Sequence, residues 1–214
     1  ATLKQIRKTR KKQLIKDNRT IIGYNTLLAS ALCLLFKYEE NADKKEFYLN
    51  KAGSIIDNVL KIKLLKKSNY TLQDYSLLIN SLINYAINTN NGKYKGIARE
   101  YVSYVIANFY QITTGVFSNS NLKSSNILYK REGIMDYFKF SANAIMARNM
   151  FLMYKYTGSR FFLEVYEQLL YNIEPHLYQS GPLMASWANE LLNYLNFEPL
   201  QHNIEENCLR NSKI

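Results

Sequence analysis

Residues 72–89 read LQDYSLLINSLINYAINT, and residues 93–110 read KYKGIAREYVSYVIANFY. The first run carries no charge after Asp74 and is apolar on most sides, which predicts a helix enclosed by other protein. The second restores Lys, Arg and Glu but keeps Ile97, Tyr101, Tyr104 and Val105 on one stripe, so it predicts an amphipathic helix lying outside the first. Only Asn90-Asn91-Gly92 separates the two runs, a connection short enough to make them an antiparallel hairpin.

The couplet recurs on both sides. Upstream, residues 23–37 (GYNTLLASALCLLFK) are apolar on nearly every face and read as a helix buried all round. Residues 44–62 follow with Phe47, Ala52, Ile55, Ile56, Val59 and Leu60 on one stripe and Lys44, Lys45, Asn50, Lys51 and Asp57 on the other. Downstream, residues 141–156 pair with 159–174, and a seventh helix over 181–195 opens at Ser180-Gly181-Pro182, where Ser caps and Pro fits the first turn. A repeated inner–outer helix pair is the mark of helical solenoids and toroids. The expectation is an all-α fold of about seven to eight helices in successive antiparallel hairpins, with inner helices starting at about 21–24, 72–74 and 141–142. Leu28, Leu32, Leu78, Leu82, Met146 and Met150 are expected between inner helices, and Lys45, Lys51, Arg99 and Glu167 toward solvent. The chain divides into a basic leader (1–19), a helical-hairpin domain (20–200) and a tail (201–214).

Composition narrows the classes further. With 47% hydrophobic residues, 14% aromatic, 8 Gly and 3 Pro in 214 residues, the chain is neither disordered nor of low complexity. Cys33 and Cys208 stand far apart in sequence and in no Cys-x-x-Cys pair, so neither a disulfide framework nor a Cys-rich zinc site is expected. A metal would need carboxylates and the two histidines, His176 and His202; the expectation is no metal and no cofactor. The net charge is +11, but residues 1–17 hold +6 of it, leaving +5 for the remaining 197. A mildly basic body with a basic leader, and no recognised motif, predicts no specific nucleic-acid site. The longest uncharged apolar stretch, Thr20 to Phe36, includes Gly23, Asn25, Thr26 and Ser30 and is short for a membrane span. The basic start leads into Asp17-Asn18-Arg19-Thr20 rather than into an apolar run with a cleavage site, so the expected compartment is the cytoplasm.

Turns within pairs are short, whereas connections between pairs are long, about 61–71 and above all 111–140. Those long loops collect on the face where the inner helices begin, and loops on a rigid scaffold tend to carry function. Tyr24, Asn25, Asp74, Tyr75, Ser141 and Asn143 sit at those beginnings, with Asp136 just upstream. Such residues suit either of two roles: a converging set of hydrogen-bonding groups for a ligand, or caps and core edges.

Four stretches resemble a known family. Leu3 to Leu28 (LKQIRKTRKKQLIKDNRTIIGYNTLL) is similar to a segment in which a basic helix leads into Lys-Ile-Leu-Thr-Ser-Trp-Asn-Gly-Leu. Gln73 to Ile79 resembles Asp-Asp-Tyr-Ala-Phe-Leu-Ile, Thr114-Gly115-Val116-Phe117 resembles a Gly-Gly-Phe-Phe turn, and Asp136 to Ala144 resembles Asp-Gly-Ala-x-Pro-Ser-Gly-Asn-Ser. The family joins an N-terminal thioredoxin-like domain to a six-hairpin helical toroid of the glycosidase and sugar-epimerase type, and includes the spermatogenesis-associated thioredoxin-like proteins. The resemblance implies a partial α/α toroid corresponding to the C-terminal part of such a protein, with an upstream thioredoxin-like domain as a partner. It implies a ligand site at the positions already named. Tyr24-Asn25-Thr26 stands where the family has Trp-Asn-Gly, and the histidine pair of the related epimerases has no counterpart.

Sugar chemistry calls for two acid–base groups, often carboxylates. Besides Glu132, Asp74 and Asp136 are the acids near the face, and both also suit capping or pairing with Lys130 and Arg131. Two readings therefore stand: a pocket for a carbohydrate or small polar ligand, with catalysis left open, and a non-catalytic helical scaffold or protein-interaction module.

Overall fold

The computed structural model describes residues 21–62, 70–123, 133–137 and 139–197. The leader, the tail, Glu132, Lys130, Arg131, His202 and Cys208 lie outside the described residues. Seven α-helices run within them: α1 (Ile22–Tyr38), α2 (Ala42–Leu60), α3 (Leu72–Thr89), α4 (Gly92–Phe109), α5 (Ala142–Thr157), α6 (Arg160–Ser180) and α7 (Ala185–Leu195). The fold is all-α, built of antiparallel hairpins that form part of an α/α toroid.

Local chemistry sets the helix ends. Asn41 and Asn91 accept the backbone N–H groups of Lys44 and Lys93, each at 3.0 Å, and so start the outer helices α2 and α4. Asn90 (φ 50°) and Gly158 (φ 71°) stop α3 and α5 in the left-handed conformation, which ends a helix and turns the chain back.

Side-chain bonds fix how the inner helices lie. The Ser30 hydroxyl donates to Asn80 Oδ1 at 3.2 Å and Asn88 Nδ2 donates to the Cys33 carbonyl at 2.8 Å, so positions rise together and α1 runs parallel to α3. Asn80 Nδ2 donates to Asn149 Oδ1 at 3.0 Å, Asn149 Nδ2 to the Ser76 carbonyl at 2.8 Å, and the Tyr156 hydroxyl to the Ala86 carbonyl at 3.3 Å. These contacts make α5 parallel to α3. The three inner helices thus begin at one end, and α7 starts beside α5 because Asp136 holds both starts. Buried polar side chains that are fully paired specify register, since any slip would leave them without partners in a low-dielectric interior. Every such buried side-chain nitrogen and oxygen among the described residues has a hydrogen-bond partner.

Around this ladder Leu78, Leu82, Ile83, Met146, Met150 and Tyr166 are excluded from solvent. The expectation for α1 is overturned. Leu28 is 52% exposed and Leu32 is only half-buried, because among the described residues α1 packs chiefly against α2 and α3, with no other described inner helix packed closely against it. Lys51 and Arg99 face solvent, whereas Lys45 and Glu167 are half-buried, Glu167 accepting from the Tyr194 hydroxyl at 3.3 Å. The helix expected to stop at 174 continues through Pro175 to Ser180, since both Pro175 and Tyr171, the residue four positions before it, are exposed. The seventh expected helix divides into a 3₁₀ turn (Gly181–Met184) and α7. A two-stranded antiparallel ribbon, β1 (Tyr110–Gln111) and β2 (Val116–Phe117), interrupts the all-helical pattern. Its turn needs Gly115, whose φ is +65° and whose missing side chain leaves room for the Asn172 amide to donate to its carbonyl at 3.0 Å.

Candidate functional site

The face at the inner-helix starts is organised by the long connection after α4. Leu72, first in α3, donates its N–H to the Asn119 carbonyl at 3.0 Å. Asn143, at the start of α5, accepts the Phe117 N–H at 2.8 Å and donates to the Phe117 carbonyl at 2.9 Å. The ribbon is therefore sewn across the starts of α3 and α5.

Asp74 joins two helix starts. Its Oδ2 accepts from the Thr71 N–H at 3.1 Å and the Thr71 hydroxyl at 2.8 Å, capping α3, while Oδ1 accepts from the Gly23 N–H of α1 at 3.3 Å. Glycine at 23 permits this close approach: a Cβ there would lie 3.3 Å from Leu77 Cδ1 and 3.4 Å from Asp74 Oδ1. Asp136 does the same for α5 and α7, accepting from the Ser141 N–H at 2.6 Å and the Ser186 N–H at 2.7 Å. Ser141 caps α5 through the Ala144 N–H at 3.2 Å and donates to the Gly133 carbonyl at 2.8 Å. Asn25 turns back on its own helix, donating to the Ile21 carbonyl at 2.8 Å.

Tyr75 is a core residue, 1% exposed, with the rings of Tyr70, Tyr101, Tyr104 and Phe109 around it at 5.3–6.5 Å between centroids. Burial first, then its hydrogen bond with Tyr104, pushes its hydroxyl well above the ordinary phenol range; burial pushes Tyr101 up to about 12. Neither phenol can serve as a base near neutral pH.

All seven predicted residues lie at or just before the start of an inner helix. Ser141 and Asp136 touch directly, Asn143 meets the same Gly133 carbonyl as Ser141 at 3.5 Å, and Asp74 stands apart with Thr71 and Gly23. Asp74, Tyr75, Asp136, Ser141 and Asn143 spend their hydrogen bonds or their bulk on holding helix starts and loop together. Tyr24, 61% exposed, keeps its ring in solvent.

Three features escaped the sequence reading. Tyr137 and Phe140, 68% and 59% exposed, flank the Asp136 cap on the loop into α5. Aromatic residues in a long connection were the available signal. The third is Glu190 of α7, almost fully buried, with Oε1 3.3 Å from Arg148 Nη1 and its backbone carbonyl accepting the Tyr166 hydroxyl at 2.6 Å. Burial raises its carboxyl above the usual range despite the opposing pull of Arg148. Among the described residues, no group of three or more His, Cys, Asp and Glu side chains is placed to hold a metal ion.

No family model and no curated protein matches this chain. Among solved structures it is similar to the selenomethionine form of a GH76 α-mannanase from Bacteroides thetaiotaomicron, with a TM-score of 0.66 at 14% identity, over 83% of this chain. The match spans 54% of the mannanase chain, about half its length. At that identity the likeness establishes a shared toroid fold, with this chain supplying a little over half of it. No helix among the described residues is long and apolar enough to cross a membrane.

Proposed function

We propose that this chain binds a carbohydrate or a similarly polar small ligand at the face where the inner helices begin, through exposed aromatic rings and not through a catalytic carboxylate pair. The observation that carries this reading is the division of labour on that face. Asp74 and Asp136 each accept from two helix starts, while Tyr137 and Phe140, on the loop that Asp136 anchors, leave their rings uncovered. A flat apolar ring offers a sugar's C–H face a surface to stack on, and a loop anchored by Asp136 holds that ring in place. Likeness in fold to a GH76 α-mannanase supports a carbohydrate as the ligand class. The finer kinship, to proteins that also carry a thioredoxin-like domain, rests on the four sequence motifs, and such a domain as a partner belongs to the same proposal.

Thermal shift against a panel of mono- and disaccharides, including mannose and mannobiose, tests the reading. A ligand that binds only the folded chain raises the melting temperature. Tyr137→Ala and Phe140→Ala should abolish the shift and leave the unliganded melting temperature unchanged. No shift with any sugar at high millimolar concentration would remove it in favour of the scaffold reading, which a separate observation favours: the uncovered apolar side of α1.

A further inference from the structure

The loop that presents Tyr137 and Phe140 leans on α7 as much as on α5. Asp136 accepts from the Ser186 N–H at 2.7 Å and donates its own N–H to the Leu183 carbonyl of the 3₁₀ turn at 2.7 Å, while Trp187 Nε1 donates to the Ile134 carbonyl at 2.8 Å. These bonds hang the loop on the start of α7. Displacing that start displaces the backbone that carries Tyr137.

Helix α7 is itself lightly held. Of its 11 residues only Trp187 and Glu190 are buried; Leu192 and Leu195 are each 56% exposed, and Leu191 and Tyr194 are half-buried. A helix of this length is marginal alone and draws its stability from packing, and elements with few buried contacts open at the lowest cost. The two buried residues hold different neighbours. Trp187 fastens the loop, whereas Glu190 fastens α5 and α6: Oε1 lies 3.3 Å from Arg148 Nη1, and its backbone carbonyl accepts the Tyr166 hydroxyl at 2.6 Å. Within α7, Oε2 accepts from Asn193 Nδ2 at 3.3 Å; Tyr194 donates to Glu167 of α6 at 3.3 Å. One of the two buried anchors of α7 is therefore ionisable. Burial raises its carboxyl above the usual range, and Arg148, half in water, opposes that only in part. The phenols of Tyr166 and Tyr194 are also raised by burial and stay neutral near neutral pH.

We infer that α7 has a docked and a released state, and that ligand binding at Tyr137 and Phe140 and proton binding at Glu190 both favour the docked one. The ligand half of this inference rests on the carbohydrate reading above. Docked α7 holds the loop in place for the ligand, and the neutral carboxyl of Glu190 suits the docked interior, while the ionised one favours release into water. The contribution of Glu190 to docking is full in acid and lost as pH rises through its folded value. Linkage makes the two effects reciprocal: the ligand binds more tightly where Glu190 is protonated, and its binding takes up protons there.

Trp187 is the chain's one tryptophan, so its fluorescence reads the docking of α7 directly. Acrylamide quenching of the full chain should increase from about pH 5 to about pH 8, whereas Glu190→Gln, which keeps an acceptor for Arg148 and carries no charge, should stay protected throughout. Mannobiose, or the best-bound sugar of the panel if that is another, should bind the parent at least about fivefold more weakly at the upper end of this range and bind Glu190→Gln with one affinity. His176→Gln and Glu167→Gln should leave both pH dependences in place. Trp187→Phe keeps a ring and loses the N–H donor, and should speed hydrogen exchange at residues 133–137 about fivefold or more, with or without sugar. Quenching of the parent that does not change with pH would overturn the inference, as would exchange at 133–137 untouched by Trp187→Phe. A sugar bound with equal affinity across the range would overturn the coupling and leave the carbohydrate reading standing; binding of no sugar in the panel would remove both.

Discussion

Helices α1 and α3 are alike in composition and opposite in environment. Both are long, nearly uncharged and rich in Leu and Ile, yet α3 buries Leu72, Leu77, Leu78, Ile79, Leu82 and Ile83, while α1 leaves Leu28, Leu34 and Leu35 about half exposed. The cause is position in the ring. Helix α3 packs against α1, α4 and α5, whereas α1 packs against α2 and α3 and ends the described inner layer. Apolar content therefore reports that a helix is built to be covered, and neighbours decide whether this chain covers it.

The widest gap between the two helices is expected in stability. Leu82→Ala empties a site with no solvent exposure and should cost about 2–5 kcal/mol, whereas Leu28→Ala, made where the side chain is half in water, should stay within about 0.5 kcal/mol. Denaturant unfolding of both variants checks the contrast. Equal losses would erase it.

The next effect lies where the two helices are tied. Asp74→Ala removes the acceptor for the Thr71 N–H and hydroxyl and for the Gly23 N–H, and should cost about 1–2 kcal/mol. Hydrogen exchange would sharpen the result: the loss should speed exchange at the starts of both α1 and α3, where a residue that capped α3 alone would affect only one.

The smallest effect concerns Glu190, at the other end of the inner layer. Its folded pKa is raised, so its stabilising contribution is full below the unfolded carboxylate pKa and is lost as pH rises through the folded value. Glu190→Gln should accordingly flatten the decline of stability above the acid range and leave the variant at least as stable as the parent at neutral pH. Stability measured from acid to neutral pH checks the sign; a variant less stable at pH 7 would reverse it.

Much of this fold is legible in the sequence. Inner helices begin at Ile22, Leu72 and Ala142, within the expected ranges, because apolar runs bounded by Asn41, Asn90-Asn91-Gly92, Ser141 and Gly158 carry their own start and stop chemistry. Which side of α1 is covered was not legible, since an apolar run looks the same whether its large or its small residues face a neighbour. The continuation through Pro175 was hidden as well, for it depends on an exposed turn in which water can serve the Tyr171 carbonyl that proline leaves without a donor. At the candidate site the sequence located the residues but not their occupation: Asp74 at a helix start reads equally as a cap or a ligand group, and the bonds to Thr71 and Gly23 emerge only when α1 lies alongside α3.

The central claim is that α1 turns its large side chains away from the core that α3 completes, and thiol labelling tests it most directly. In a Cys208→Ser background, Cys33 is an internal reference, its thiol buried and pushed up to about 12 by that burial. Leu28→Cys should label about as fast as a free thiol, while Leu82→Cys and Cys33 stay unlabelled. Protection of Leu28→Cys equal to that of Leu82→Cys would contradict the account.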